Sequence, residues 1–587
     1  MVHNQSNQKI KVGNSIIILL SIVGLIACIA VLFPQVRQMI MNLLEQMRGR
    51  KLNEYQSWFE VLASYAMGGI CLILFFDYCT LIHSGRMLVQ NVKQEIYDCL
   101  SEIDFHSFRK PVLLLAGVYL LGILTIVRAN FLYNDDNEWA VFGSRSWYDW
   151  SRYVTVLLSY FLQPEIHLTD ISPLPQLLAA VTLSCSSVLL VYILGEGKMT
   201  IVRLLASISL GLFPYMLEGL SYKFPTFYGA LSILISILPF LFITRKKAFF
   251  FCSVVFLLIE CMFNQSAVNI YMLIVIMLCF RDWNSRKKTQ KEILYFLGTS
   301  AVAFCFALLF FKFFLMRPIN EQESYYTSNA ILPMAHLVSG ILSNIKNYAI
   351  IINHDLGLIW KAGIVLILFF FIVQSMRRSA YGKIKSLFVS ILVIGLSFCS
   401  SYGLYSLMAT PLYEPRSLFG FGIFVAILCI IVVLDYKKVA IITVLALNWC
   451  FFIFAFSYGN ALADQKRYIE FRRGILLHDL DILYSHRENN SEFLTFQFKN
   501  SIDFAPSIHN IAKNYPLIER LVPKQLTRTP SWEYLYFPDY MKMDYESGHL
   551  VNKGYLDFSS LNLPVVLDSY YHTIQSDGSH VLIIFKH

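Results

Sequence analysis

Only 15% of the 587 residues are charged, where an ordinary soluble domain carries about 25%. That shortage leaves too little charge to keep a chain of this size in water. Paired cysteines are missing as well. None of the 12 cysteines forms a Cys-x-x-Cys motif, and none lies beyond Asn460. Neither a zinc site nor a disulfide framework is expected. The phosphate-cradling glycine loop, the dinucleotide fingerprint and the His-Glu-x-x-His zinc helix are all absent. His167, His336 and His354 are scattered without metal-ligand spacing. No repeat or low-complexity tract stands out.

Apolar residues fill the gap. They make up 56% of the chain, and mean hydropathy is +0.55. A soluble enzyme, a disordered chain, a collagen and a coiled coil are excluded. Most of the protein belongs in a bilayer. The formal charge of +9 would suggest nucleic-acid binding in a soluble protein. Here the basic residues sit between apolar spans, and no nucleic-acid partner is expected.

A bilayer core takes about 20 apolar residues per helix. Candidate spans are 14–33, 58–82, 112–131, 174–194, 226–243, 292–314, 356–375, 386–404, 417–434 and 438–458. Shorter runs at 202–217, 248–263 and 266–280 raise the expectation to about 13 transmembrane helices. The first run is longer than a signal-peptide core and reads as a signal anchor. Residues 34–57 are polar and helix-prone, as an extracytoplasmic connector would be. Alternate connecting loops hold 22 Lys and Arg on one side against 10 on the other. The rule that cytoplasmic loops are the basic ones predicts a cytoplasmic N-terminus and a C-terminal tail outside the cytoplasm. The tail, 459–587, carries strand-like runs at Glu492–Phe498 and His580–Phe585. It reads as a small mixed α/β domain. Its aromatics Trp532, Tyr534, Tyr536 and Tyr540 suit a domain core better than sugar stacking.

The chemistry gathers on the outward face. After the third span the chain reads Asn134-Asp135-Asp136-Asn137-Glu138-Trp139. Carboxylates this close to lipid mark a functional site unless they are simply hydrated. An Asp helix cap is the plainer reading. Arg145, Trp147, Trp150 and Arg152 then lead into the apolar stretch Val154–Leu162, a pattern that suits a helix lying in the interface. Lys223, Arg317 and Arg416 fall on the same face. A lone cation beside lipid is more often a snorkelling anchor than a ligand. Carboxylates and cations gathered together fit a phosphate-bearing lipid, and arginine binds phosphate with a two-pronged fork. Nucleotide sugars are scarce outside the cytoplasm, so the energy for a reaction there would arrive within the substrate.

The order of several short segments resembles the serotype-converting O-antigen glucosyltransferases of the Gtr type II family. These are Tyr133-Asn134-Asp135-Asp136; Gly143 and Trp147, then Ser151-Arg152; Glu218-Gly219-Leu220-Ser221-Tyr222-Lys223; Asn264-Gln265-Ser266-Ala267-Val268-Asn269-Ile270-Tyr271; Pro415-Arg416; Asn460-Ala461 with Gln465-Lys466-Arg467-Tyr468; and Asn514-Tyr515-Pro516-Leu517-Ile518. The similarity runs from about residue 110 to about 540. Trp139 stands where that family usually has Arg, and Asn264 where an aromatic is common.

The resemblance implies a polytopic α-helical membrane protein of GT-C-like fold, with about 13 transmembrane helices and a small C-terminal extracytoplasmic α/β domain. Residues 1–110 would be a two-helix membrane extension, 111–458 the catalytic core and 459–587 the extracytoplasmic domain. It implies an inner-membrane enzyme that moves a sugar, glucose in this family, from a polyprenyl-phosphate-linked donor to a hydroxyl of a polysaccharide acceptor. Anomeric configuration would invert. Either Asp135 or Asp136 would be the general base. Arg152, Lys223 and Arg416, with Arg145 as a weaker candidate, would hold the lipid phosphate. Tyr222 and Arg317 complete the candidate binding set, and Glu138 and Gln265 would meet sugar hydroxyls. No cofactor is implied and no metal is demanded by a monophosphate leaving group, though two carboxylates leave a cation open. A transporter or flippase of a lipid-linked sugar competes with this reading. It calls for matching halves and spans broken near the midplane, and the sequence shows no convincing repeat. A membrane scaffold is a third reading; it would be indifferent to Asp135 and Asp136.

Overall fold

The computed structural model describes residues 83–148, 150–316, 331–435, 437–484, 494–526, 543–545 and 557–586. The first two expected spans, the 34–57 connector, Arg317 and the four tail aromatics named above lie outside the described residues.

Helices dominate. In chain order they are α1 (His83–Ser101), α2 (Arg109–Ala129), α3 (Asp136–Phe142), α4 (Tyr153–Leu162), α5 (Leu174–Leu194), α6 (Ile201–Ala206), α7 (Ser209–Leu212), α8 (Met216–Ser221), α9 (Thr226–Ile237), α10 (Lys246–Cys261), α11 (Asn269–Asn284) and α12 (Gln290–Phe310). They continue with α13 (Leu337–Asp355), α14 (Leu358–Arg378), α15 (Lys383–Tyr402), α16 (Phe419–Val432), α17 (Lys438–Tyr484), α18 (Pro506–Ala512) and α19 (Ile518–Leu521). Among the described residues, seven helices are long and apolar enough to cross a membrane, and shorter apolar helices lie between them. The protein is a membrane protein.

Local chemistry accounts for the ends. Thr289 and Glu292 close a reciprocal capping box at the start of α12, which satisfies two amide donors the helix itself cannot. Asn130 ends α2 with a left-handed backbone, φ 47°. The expected span at 202–217 is instead three short helices. Phe213 precedes Pro214 and is extended, with ψ 138°, because the proline ring clashes with a helical residue before it.

α16 is the shaft of the bundle, with 13 of its 14 residues buried. It packs on α14, α15 and α7. A helix buried on every side is apolar on every side. Between such helices, small residues set the closest approach. Gly459 of α17 lies against α2, where an added Cβ would fall 2.3 Å from Thr125 Oγ1 and 2.5 Å from the Thr125 carbonyl carbon. Backbone cannot yield as a side chain does. Gly459→Ala is expected to cost about 1–3 kcal/mol, read as a lower thermal midpoint of the purified protein. An unchanged midpoint would show that α2 and α17 have room to part.

α17 runs 47 residues, about 70 Å at 1.5 Å per residue. It passes through residue 458 without a break, so the tail grows directly out of a span. A five-stranded mixed sheet follows: β1 (Leu494–Lys499), β2 (Met543–Tyr545), β3 (Val565–Asp568), β4 (His572–Ser576) and β5 (His580–Phe585). The spatial order is β2-β1-β5-β4-β3. β1 pairs parallel with β2 and β5, and β3, β4 and β5 pair antiparallel. The strand runs read from sequence are β1 and β5, neighbours in the interior of the sheet.

Between the long helix and the sheet, residues 503–526 fold back onto the bundle. Gln465 of α17 donates to the carbonyls of Asp503 and Pro523 at 3.3 and 3.4 Å, and accepts from Ala505 N at 2.8 Å. Tyr515 stacks on Trp360 with ring centres 5.3 Å apart. Arg520 reaches Asp355, which is fully buried and also accepts from Tyr215 Oη at 2.9 Å. The Gln465 and Tyr515 segments of the resemblance thus form the seam between tail and membrane body.

Candidate active site

The loop that follows α2 is drawn into a knot by Asp136. Its carboxylate accepts from Tyr133 N at 3.0 Å, from Lys223 N at 3.0 and 3.1 Å and from Phe224 N at 3.4 Å. Asp136 is 0% exposed. Burial pushes its carboxyl up to about 8, against the pull of the Lys223, Tyr133 and Phe224 amides. Both oxygens are engaged, so Asp136 clasps the 133–136 loop to the 222–224 loop. Asp136→Asn would turn an N–H donor toward that amide nest. Each amide left unpaired is expected to cost about 1–3 kcal/mol. The thermal midpoint should drop accordingly, and wild-type stability would disprove the clasp.

Asp135 has different surroundings. It caps α3 through its backbone, while its side chain makes no cap bond, and it is half-buried. Its charge acts on Arg152, Arg416 and the Tyr222 hydroxyl. Arg152 ends the loop before α4, and its Nε is buried without a hydrogen-bond partner among the described residues. The charges of Arg152 and Arg416 also act on each other. Asp135, Glu218 and Glu414 all act on Arg416, so the two guanidinium groups share one partly buried place with carboxylates of the opposite sign.

Arg416 is held from below. Its Nη1 donates to Glu218 Oε1 at 3.0 Å and to Tyr222 Oη at 2.5 Å, and its backbone N donates to Glu218 Oε2 at 2.6 Å. Glu218 is 2% exposed. Tyr405 completes the group, facing both arginines and bonded to Ser266. Gln265 lies close by in the chain and donates to the Trp150 carbonyl at 3.1 Å. The Tyr133 ring packs at a tilt of 57° against Tyr222, with ring centres 5.0 Å apart. The Tyr133 hydroxyl donates to the Leu521 carbonyl at 2.6 Å, so the tail touches the loop that carries Asp135.

Other candidates are placed elsewhere. The Lys223 ammonium pairs with Asp170 at 2.7 Å. Partial burial raises the Asp170 carboxyl, but bonds from Lys223 and Ser172 outweigh it and hold it below the usual range. Arg145 donates to Ser159 Oγ at 2.8 Å and to the carbonyls of Gln163, Glu165 and Ile166, and it lies 3.8 Å over the Tyr160 ring. That guanidinium staples α4 to the loop beyond it. Glu138 accepts from Ser144 Oγ at 3.3 Å. Trp139 is core: it packs 5.1 Å from Trp147 and 5.9 Å from Phe224, and its Nε1 donates to Ser146.

Sequence reasoning did not select Glu218, Asp170 or Tyr405. Glu218 carried a usable signal, since a carboxylate inside Met216-Leu217-Glu218-Gly219-Leu220 is expensive unless paired. Asp170 and Tyr405 carried none, because only the fold brings them to Lys223 and Arg152. Among the described residues no group of three or more His, Cys, Asp or Glu is arranged to hold a metal.

A bundle of apolar helices with a charged cluster at one end defines a polytopic membrane protein with a membrane-face polar centre. The chain belongs to the family described as "Glucosyl transferase GtrII", which matches residues 124–434, more than half of its length. All the cluster residues named above fall within the matched range. A Salmonella phage P22 protein, described as an uncharacterized 55.3 kDa protein in the gtrB 5' region, is 23% identical over 439 residues. That alignment covers 71% of this chain and 87% of the phage protein. No solved structure matches the chain.

Proposed function

We propose that this glucosyl transferase moves glucose from a polyprenyl-phosphate carrier to a hydroxyl of an O-antigen-like surface polysaccharide, on the extracytoplasmic side of the bacterial inner membrane. The observation that carries the reading is Asp135 beside Arg152 and Arg416. A base and a pair of phosphate-binding forks are what such a transfer needs.

In this mechanism Asp135 takes the proton of the acceptor hydroxyl, and the oxygen attacks the anomeric carbon from the face opposite the phosphate. The carbon–oxygen bond to the phosphate breaks, and its electron pair leaves with the phosphate. Arg152 and Arg416 stabilise that growing charge. Attack from the opposite face inverts the anomeric centre. Asp136 positions the loop. Tyr222 and Tyr405 fix the arginines, and Gln265 and Glu138 meet sugar hydroxyls. Lys223 acts through its amide and its tie to Asp170, and Arg145 through its hold on α4. The excess of Lys and Arg on the opposite loops supports a cytoplasmic N-terminus and an extracytoplasmic tail.

The deciding experiment offers the purified protein radiolabelled polyprenyl-phosphate glucose or a nucleotide glucose, with lipid-linked polysaccharide as acceptor. Transfer from the lipid donor alone supports the proposal. Transfer from the nucleotide sugar would overturn the donor assignment and with it the role given to the arginine pair.

A further inference from the structure

The helices that present the Asp135 cluster at one end meet again at the other. A cavity of about 460 Å³ lies among the last turns of α5, α11, α14 and α16. That volume is in the range of small-molecule sites, about 300–1,000 Å³. α5 alone separates the two ends by 21 residues, about 30 Å at 1.5 Å per residue and thus about one bilayer core. The cavity therefore belongs to the opposite membrane face.

Its polar lining is mostly cationic. Lys198, Arg203, Arg281, Lys287 and Arg378 line it, with Glu196 as the one lining carboxylate. Glu196 is shared by Lys287 and Arg281, the latter at 3.6 Å. Asp282 is shared by Arg281 and Lys288, both at 3.0 Å. Asp435 pairs with Arg378. Three carboxylates thus pair with four of the six cations, and Lys198 has no ion pair among the described residues. The plainer reading is that these cations offset the negative ends of four helices and anchor the loops. Arg281 does cap the Ile193 and Leu194 carbonyls at 3.4 Å, and Arg203 those of Gly195 and Lys198 at 3.3 and 3.0 Å, yet the space among the charges stays open. The remaining wall includes Met277, Phe280, Phe371, Ile431 and Leu434. A free phosphate has no use for such a surface. A lipid phosphate does, because its glycerol and first methylenes follow the charge.

We propose that this cavity binds the phosphate headgroup of an anionic membrane lipid, at a site separate from the transfer centre and on the opposite leaflet. Basic pockets between helix ends are a recurring way to hold such headgroups.

The test uses the full chain in phosphatidylcholine nanodiscs doped with phosphatidylglycerol, with retained lipid counted by native mass spectrometry. A parallel titration uses inorganic phosphate. Lys198→Glu and the double variant Lys198→Glu/Lys287→Glu alter exposed side chains, and thermal unfolding checks their fold. Wild type should retain phosphatidylglycerol over phosphatidylcholine. The double variant should lose that preference by at least about thirtyfold, from about 1 kcal/mol for each of the two basic residues near an anionic surface. Equal retention of both lipids, or a preference unchanged in a folded double variant, would overturn the proposal. Binding of inorganic phosphate that the double variant abolishes, without any lipid preference, would assign the cavity to a soluble anion instead. If the double variant does not fold, the comparison passes to Lys198→Glu, which should still weaken the preference several-fold, and no change there would also overturn it.

Discussion

Asp135→Asn is expected to lower the transfer rate by about 10²–10⁴, the usual contribution of a positioned general base. Membrane insertion and thermal midpoint should stay at wild-type values. The backbone that caps α3 is unchanged and the amide keeps the shape of the carboxylate, so the substitution acts on charge and basicity. The same change has an opposite consequence for binding. Asp135 is a negative charge acting on Arg152 and Arg416. Without it the arginines hold an anionic donor at least as well, so KM for the lipid donor should fall or stay level while kcat collapses. Asp136→Asn gives the contrast, because it fails through the fold, with lost midpoint and lost protein. Released polysaccharide repeats analysed by mass spectrometry, with protein levels matched, would report both. A wild-type rate in Asp135→Asn sinks the assignment. A parallel rise in KM would show that Asp135 binds the acceptor or donor rather than moving a proton.

The contrast between the two aspartates also shows where sequence reading runs out. Charges restricted to one end of apolar runs are legible in one dimension, because the bilayer forces each span to begin and end at a face. That rule put Asp135, Arg152 and Arg416 on one side without any contact being known. It was silent on which aspartate is engaged by amides, since Asp136 meets Lys223 N across 87 positions of sequence. The break at 201–221 was written in Pro214, but the hydropathy average smooths over a single proline. The length of α17 was hidden differently. Polarity rises at Asn460 while the helix continues, because a helix leaving the membrane changes its solvent and not its backbone. β5 was legible as a compact apolar run of strand length, and β1 as an alternation of apolar and polar residues, Leu494-Thr495-Phe496-Gln497-Phe498-Lys499. β2 is three residues long, and its place beside β1 depends on partners far along the chain.

Arg152→Ala and Arg416→Ala should both abolish most transfer, but for different reasons that can be separated. Arg152 Nε has no hydrogen-bond partner among the described residues, and Asp135, the carboxylate whose charge acts on it, is only half-buried, so truncation leaves no sealed carboxylate behind. Its loss should cost on the order of 10²-fold in rate, as removal of one preorganised donor to a developing charge does, in a protein that unfolds at the wild-type temperature. Arg416 is different, because Glu218 is 2% exposed and takes both its backbone and its side chain. Arg416→Ala leaves that carboxylate buried beside nothing but amide and phenol. Breaking a buried pair costs about 3–5 kcal/mol, and the partial exposure of Arg416 places this one toward the lower end. Folding and catalysis would then fail together, and activity alone would say nothing about phosphate. Adding Glu218→Gln removes the stranded charge. The double variant should regain the thermal midpoint and remain inactive. If it regained transfer as well, Arg416 would be a partner of Glu218 and no more, and the lipid phosphate would rest on Arg152 alone.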